Sequence, residues 1–323
     1  MNKHNINYVN NIKDLIEKSS SIALISHKDP DGDCLGSLLG LYNILFDRGI
    51  ESDVYLDSGI PDNYAFLPGL SKINSKPGKD GHDLVIVLDC SDLDRTGNMK
   101  EVFHGGKKSV CIDHHESNLN FCDINIVEEN CSSTGEMIYK MSSQWGYEVG
   151  KDSAVNLYTA ILTDTGKFIY DKTTPDTFRC VAELVEKGID FTDIVDNVYG
   201  SEDRRAVLAK SKILSEAEFF YNGKLSIGCV SQKILEDYDV EMKNIDGLVE
   251  SLRDIKDVEI SCILKETGEN STKVSLRSKG DINVSKISRL FNGGGHAKAA
   301  GFTLKNNIFE AKDIVVEKLK EFL

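Results

Sequence analysis

Residues 21–49 read SIALISHKDPDGDCLGSLLGLYNILFDRG. Ser21–Ser26 is a short apolar run with β-branched residues, and the polar loop HKDPDGD follows at once. From about Cys34 to Arg48 the pattern turns helical. Leu35, Leu38, Leu39, Tyr42, Leu45 and Phe46 recur at spacings of three and four, and Gly49 ends the run. The same strand, loop and helix grammar continues outward. Ser52–Leu56, Asp83–Leu88 and Ser109–Ile112 read as further strands, and Leu84–Leu88 is the continuous aliphatic kind that a parallel sheet buries on both faces. Helices are expected at about Thr134–Trp145, Ser153–Thr163 and Thr177–Lys187. Such alternation predicts an α/β fold with a parallel sheet covered by helices.

Residues 191–216 carry no strand pattern and read as one helix or a helix–turn–helix. Beyond them, YNG between apolar runs in Ala217–Val230 signals a hairpin. Val258–Leu264 and Lys273–Arg277 form a second strand pair across the loop ETGENS. A helix near Val284–Phe291, the loop NGGGHAKAAG, a short strand and an amphipathic helix near Phe309–Phe322 complete the chain. The expected division is a parallel-sheet domain over 1–190, a helical connector over 191–216 and a smaller α+β domain over 217–323.

Composition narrows the function. With 323 residues, 40% of them hydrophobic and 28% charged, the chain suits about two globular domains. Leu84–Leu88 is the longest aliphatic run, far short of the roughly 18 residues of a membrane span. The polar start, MNKHNINYVNNIKDLIEKSS, has no secretory pattern, and eight scattered Cys without a CxxC pair read as reduced thiols. A cytoplasmic protein without a membrane partner is the expectation. The net charge of −14 excludes a broad basic track for long duplex nucleic acid. An acidic protein still handles phosphates where bound metal ions invert the local field.

Four segments place acidic or imidazole groups after apolar elements: His27-Lys28-Asp29-Pro30-Asp31-Gly32-Asp33, Asp89 in VLDCSD, Asp113-His114-His115, and Asp164 in ILTDTG at a helix end. In open α/β sheets, sites form where strands deliver their C-terminal ends. Asp residues brought together in one crevice repel one another unless compensated. Two divalent ions would balance Asp31, Asp33, Asp89 and Asp164. Carboxylate and imidazole without thiolate favours Mn²⁺ or Mg²⁺ over structural zinc. In an extended loop, Asp31 and Asp33 would point to opposite sides and serve different ions, with Gly32 permitting the tight path. Asp89 is the simplest bridge. A metal pair about 3.5–4 Å apart suits phosphate-ester hydrolysis.

In the C-terminal region Gly293-Gly294-Gly295-His296 follows a predicted helix. A glycine run lets backbone N–H groups approach an anion closely. It is not a Walker loop, since no GK[ST] follows, and it lies outside a βαβ unit. His296, Lys298 and a neighbouring strand residue, Arg277, add positive or hydrogen-bonding groups suited to phosphate.

HKDPDGD, VLDCSD, DHH and ILTDTG resemble the four motifs of the DHH phosphoesterase family, and GGGHAKAAGF resembles its associated C-terminal domain. Order and spacing are similar to the two-domain nanoRNase branch. The resemblance implies that His27, Asp31 and Asp89 hold one metal and that Asp33, Asp89, His114 and Asp164 hold the second. It implies catalytic roles for Asp89 and for His115, which would donate to the scissile group, with Asp113 orienting an imidazole. It gives Arg277, Ser278, Gly293, Gly294, Gly295 and His296 to the substrate's terminal phosphate and base. The implied activity is Mn²⁺-dependent hydrolysis of short RNA oligonucleotides and of nucleoside bisphosphates such as 3′-phosphoadenosine-5′-phosphate. Two ions serve each site, with Mg²⁺ as the alternative metal. A phosphodiesterase for pApA or c-di-AMP and a manganese pyrophosphatase are the competing enzyme readings, and the GGGH loop argues against the latter. A nucleotide-binding module with a decayed metal site is disfavoured by the complete motif set. A homodimer is left open.

Overall fold

The computed structural model describes residues 3–78, 81–200 and 202–323, with side-chain detail from residue 9. The chain forms two compact units, Met1–Ser201 and Glu202–Leu323.

The first unit begins with α1 (Lys3–Lys18), β1 (Ile22–Ile25), α2 (Gly32–Asp47), β2 (Asp53–Tyr55), β3 (Ile73–Asn74) and β4 (Leu84–Leu88). It continues with α3 (Lys100–Gly105), β5 (Lys108–Asp113), β6 (Ile124–Val127), α4 (Thr134–Trp145), α5 (Lys151–Asp164), α6 (Pro175–Val185) and α7 (Phe191–Tyr199). The sheet order is β3-β2-β1-β4-β5-β6, and every pairing is parallel. Strands are added outward on one side from β1 and on the other from β4, so the winding reverses between those two.

The central strands are buried on both faces by strict alternation. Ile22, Leu24, Leu84, Ile86, Leu88, Val110 and Ile112 enter one core. Ala23, Ile25, Val85, Val87 and Cys111 enter the other, with Met99 and Val102. The parallel-sheet expectation holds. The edge strands β3 and β6 escaped the sequence reading: β3 is only two residues long, whereas Ile124–Val127 carries three β-branched apolar residues and was a readable signal. The helix α1 escaped it too, although Val9, Ile12 and Ile16 are wholly buried at helical spacing. Trp145 Nε1 ties it down by donating to the Val9 carbonyl at 2.8 Å.

Helix α2 begins at Gly32, two residues earlier than expected, because Asp31 caps it by accepting from the Cys34 N–H at 2.9 Å. The expected extended path from Asp31 to Asp33 is therefore corrected: Asp33 lies in the first helical turn. Gly32 has no positive φ, so conformational freedom is not its purpose. A Cβ on Gly32 would strike the Thr163 side chain, on Gly36 the Asn156 carbonyl, and on Gly40 Leu157 Cδ2. The three glycines form a stripe along which α2 and α5 approach closely.

The second unit contains α8 (Arg204–Ser215), β7 (Glu218–Phe220), β8 (Leu225–Val230), α9 (Gln232–Tyr238), α10 (Leu248–Arg253) and β9 (Ile260–Gly268). It ends with β10 (Ser271–Ser278), α11 (Val284–Arg289), β11 (Gly294–Gly295), β12 (Ala299–Leu304) and α12 (Ile308–Leu319). Its sheet runs β11-β12-β10-β9-β8-β7 and is antiparallel except between β8 and β9. The YNG hairpin is present as β7–β8, and the segment expected to be helical over 191–216 consists of α7 and α8. Helices α9 and α10 were not anticipated. Among the described residues, no helix is long and apolar enough to cross a membrane.

Candidate metal centre

The winding reversal between β1 and β4 opens a crevice at the strands' C-terminal ends. His27 stands two residues beyond β1, Asp89 directly beyond β4, and Asp113 ends β5 with His114 and His115 next. Asp89 takes a left-handed conformation, φ 51°, and its N–H donates to the Ile112 carbonyl at 3.1 Å. That turn points a buried carboxylate into the crevice. Asp164, the last residue of α5, reaches the same place because the glycine stripe lets α5 lie close on α2.

The distances define one cluster. His27 Nε2 lies 3.4 Å from Asp89 Oδ2 and 3.9 Å from Asp31 Oδ1. His114 Nε2 lies 3.3 Å from Asp164 Oδ2, 3.7 Å from Asp33 Oδ2 and 3.8 Å from Asp89 Oδ1. Donor atoms fall into three overlapping groups, each within 4.8 Å: His27, Asp31 and Asp89; Asp33, His114 and Asp164; Asp89, His114 and His115. Asp89 and His114 each belong to two.

The surrounding hydrogen bonds set the direction of each group. His27 Nδ1 lies 2.8 Å from the Lys28 carbonyl, and His114 Nδ1 lies 3.2 Å from the Cys131 carbonyl. Each carbonyl requires Nδ1–H, which leaves the Nε2 lone pair turned to the carboxylates. Asp33 accepts from the Thr134 N–H at 2.7 Å, the Gly135 N–H at 2.9 Å and Ser37 Oγ at 2.9 Å. It therefore sits at the positive N-terminus of α4. Asp113 is fully buried. Its Oδ1 accepts from His115 Nδ1 at 2.7 Å and from the His114 N–H at 2.8 Å, and its Oδ2 from Asn118 Nδ2 at 2.6 Å. Burial works to raise its carboxyl, but the bonds from His115 and Asn118 hold it below the usual range.

Asn118 and Thr134 were missing from the sequence reading. Thr134 Oγ1 donates to Asp89 Oδ1 at 3.3 Å. Ser133-Thr134-Gly135-Glu136 signals a helix start, with Ser133 as its cap, but nothing local links it to Asp89. For Asn118 we find no usable signal.

The electrostatics call for cations. Burial, then the neighbouring Asp31, pushes Asp33 up to about 6. Burial, then Asp33 and Asp31, raises Asp89 and Asp164 well above the ordinary carboxyl range. Burial, helped by His115 and Lys172, lowers His114 to about 4, so its imidazole is neutral near pH 7. Burial works to lower His27, but its neighbours, Asp31 among them, raise it to about 9, so a divalent ion bound there would displace its proton. Hard carboxylate oxygens and imidazole nitrogens facing one another fit divalent ions. The adjacent thiols do not take part: Cys34 is buried and donates to Ser26 Oγ at 3.0 Å, while burial pushes Cys90 up to about 12.

The remaining predicted site residues lie in the second unit. Arg277, on β10, pairs in register with Ala299 of β12. Its Nε donates to Glu250 Oε1 at 2.9 Å and its Nη1 to the Leu276 carbonyl at 3.0 Å. Ser278 is buried and donates to the Ile282 carbonyl at 2.7 Å. Gly294 and Gly295 form the short edge strand β11 against Gly301 and Ala300, with a turn at His296 closed by its N–H to the Ala299 carbonyl at 2.7 Å. Gly293 packs too tightly for any side chain, against Ser288 and the Gly301 carbonyl, and Gly295 has φ 134°. Lys298 Nζ donates to the Gly280 carbonyl.

Residues 21–163 match the DHH family, N-terminal domain, and residues 226–323 match the DHHA1 domain. The bifunctional oligoribonuclease and PAP phosphatase NrnA of Thermus thermophilus is 31% identical over 306 residues, covering 94% of this chain and 90% of that protein. Its namesake in Bacillus subtilis is 26% identical over 287 residues, covering 88% and 89%. Among solved structures, an exopolyphosphatase-related protein from Bacteroides fragilis has a TM-score of 0.92 at 28% identity, covering 98% of this chain and 96% of that one.

Proposed function

The chain belongs to the DHH family of phosphoesterases, and from that premise we propose that it hydrolyses short oligoribonucleotides to mononucleotides and 3′-phosphoadenosine-5′-phosphate to AMP and phosphate. One observation carries the proposal: four carboxylates and two imidazole Nε2 atoms from separate elements face one another at the winding reversal. His27, Asp31 and Asp89 would hold one divalent ion, and Asp33, Asp89, His114 and Asp164 a second. Bound there, such ions polarise a phosphoryl oxygen and make water nucleophilic near neutral pH.

The protein's own groups do the rest. The main-chain carbonyls of Lys28 and Cys131 keep His27 and His114 in the required tautomer. Asp113 grips His115 Nδ1, so the imidazole is held in one orientation. We assign His115 the proton that the departing oxygen takes as its P–O bond breaks and water adds to phosphorus. Arg277, Ser278, Gly293, Gly294, Gly295 and His296 are assigned to the remaining phosphate and base. The two imidazoles favour Mn²⁺ over Mg²⁺, which prefers oxygen donors. Eight unpaired cysteines suit a reducing compartment, and we assign the protein to the cytoplasm.

The test is a product time course with metal-stripped protein and added Mn²⁺. The substrates are a 5′-labelled RNA trimer, the bisphosphate, pApA and pyrophosphate. Mononucleotides from the trimer and phosphate from the bisphosphate are expected. A protein that binds Mn²⁺ yet turns over neither, or that prefers pyrophosphate, overturns the reading.

A further inference from the structure

We propose that Lys172 binds the phosphate on which the metal centre acts, and that the loop after Asp164 is shaped to return its ammonium to that centre. The inference rests on the phosphoesterase reading above and adds to it a residue outside the metal-ligand set.

Immediately after α5 the chain reverses through three consecutive left-handed residues: Gly166 at φ 56°, Lys167 at 63° and Phe168 at 67°. Side-chain-bearing residues adopt this conformation rarely, and runs of it persist only when surrounding contacts impose them. Here they do. The Lys167 N–H donates to the Leu162 carbonyl at 2.9 Å, the Phe168 N–H to Thr165 Oγ1 at 3.1 Å, and the Ile169 and Tyr170 N–H groups to the Thr165 carbonyl at 3.0 Å. Phe168 packs between Tyr158 and Phe178, and Lys167 Nζ stands 3.9 Å over the Tyr199 ring.

The turn brings Lys172 back to the strand ends. Its Nζ donates to the His114 carbonyl at 3.3 Å, and its charge acts on both Asp164 and His114. Among the described residues it has no carboxylate partner in an ion pair. An ammonium carries three donors, and the carbonyl takes one. Two divalent ions balance Asp31, Asp33, Asp89 and Asp164, and Asp113 is engaged with His115. The charge of Lys172 is then left over at the centre, and an anionic phosphate is the species it suits.

Lys172→Met and Lys172→Arg in the full chain test this, with Mn²⁺ content counted in each. Two readouts are needed: steady-state kinetics on a nucleoside 3′,5′-bisphosphate and a short RNA, and inhibition or direct binding by inorganic phosphate. The Met variant is expected to keep its Mn²⁺, raise KM tenfold or more and weaken phosphate binding by a similar factor. The Arg variant should recover most of both. Unchanged KM and phosphate affinity in Lys172→Met overturn the proposal. So does a variant that merely binds Mn²⁺ less well and has wild-type KM once saturated. If the unaltered protein hydrolyses neither substrate, the phosphoesterase reading fails, and the phosphate-binding comparison still decides the role of Lys172.

Discussion

Asp89 concentrates the chemistry in one side chain: it is buried, left-handed at φ 51° and shared between two groups of donors. Asn tolerates that backbone conformation well, so Asp89→Asn removes charge with little distortion. Loss of Mn²⁺ and at least a thousandfold fall in turnover are expected by metal counting and kinetics. The metal-free variant should melt higher, since one repelling carboxylate is gone; a gain of about 1 kcal/mol corresponds to roughly 2–4 °C. Asp113→Asn should keep the metal and lower kcat about 10²–10⁴-fold, the range for a misdirected general acid. Retained kcat would remove His115 from the mechanism.

The titrating groups give a pH signature of their own. Between pH 4 and 6 the raised Asp33 makes folding less favourable as pH rises, and the lowered His114 makes it more favourable, so the two largely offset. Asp89 and Asp164, both raised well above the ordinary range, and His27, raised to about 9, decide the sign above that window. The native metal-free state holds their protons longer than the unfolded chain does, and it loses stability as pH rises. Mn²⁺ should therefore raise Tm more at pH 7.5 than at pH 5; an equal rise at both would contradict this. The acidic and imidazole residues were legible from DxD, DHH and strand-end position. Asn118 and Thr134 were not, because their bonds to Asp113 and Asp89 join segments that only folding brings together.

Helix α2 owes its existence to periodic leucines and its position to glycine. At Gly36 a methyl group would meet the Asn156 carbonyl and Ala160, both on α5. Gly36→Ala is expected to destabilise the metal-free protein by about 1–3 kcal/mol in urea, as overpacking does. It should also weaken Mn²⁺ binding, because α5 carries Asp164. Unchanged stability would mean that the helices separate freely. The repeat of glycine at 32, 36 and 40 was a readable sign of this contact. The run at 293–295 was harder to read: local sequence offers a loop, while pairing with Gly301 and Ala300 makes two of its residues a strand.

Across the whole molecule the first unit's sheet builds outward in two directions from β1 and β4, and that choice of order creates the crevice. The second unit has cores of its own, including one around Leu264, Val274 and Phe302. If its residues hold the substrate, Arg277→Ala raises KM severalfold without altering Mn²⁺ content, and an unchanged KM counts against that role. The amino-acid order alone determined the alternating elements, the two-face burial of the central strands and the acidic and histidine segments, because periodicity and strand-end placement are local properties. The helical placement of Asp33 was local as well, since the Asp31 cap lies three residues from Cys34. Tertiary structure alone decided which strands are neighbours, that Asp164 reaches the crevice, and that Lys172 returns to His114. Those outcomes depend on pairing and close packing between segments far apart in the chain, where no local preference acts.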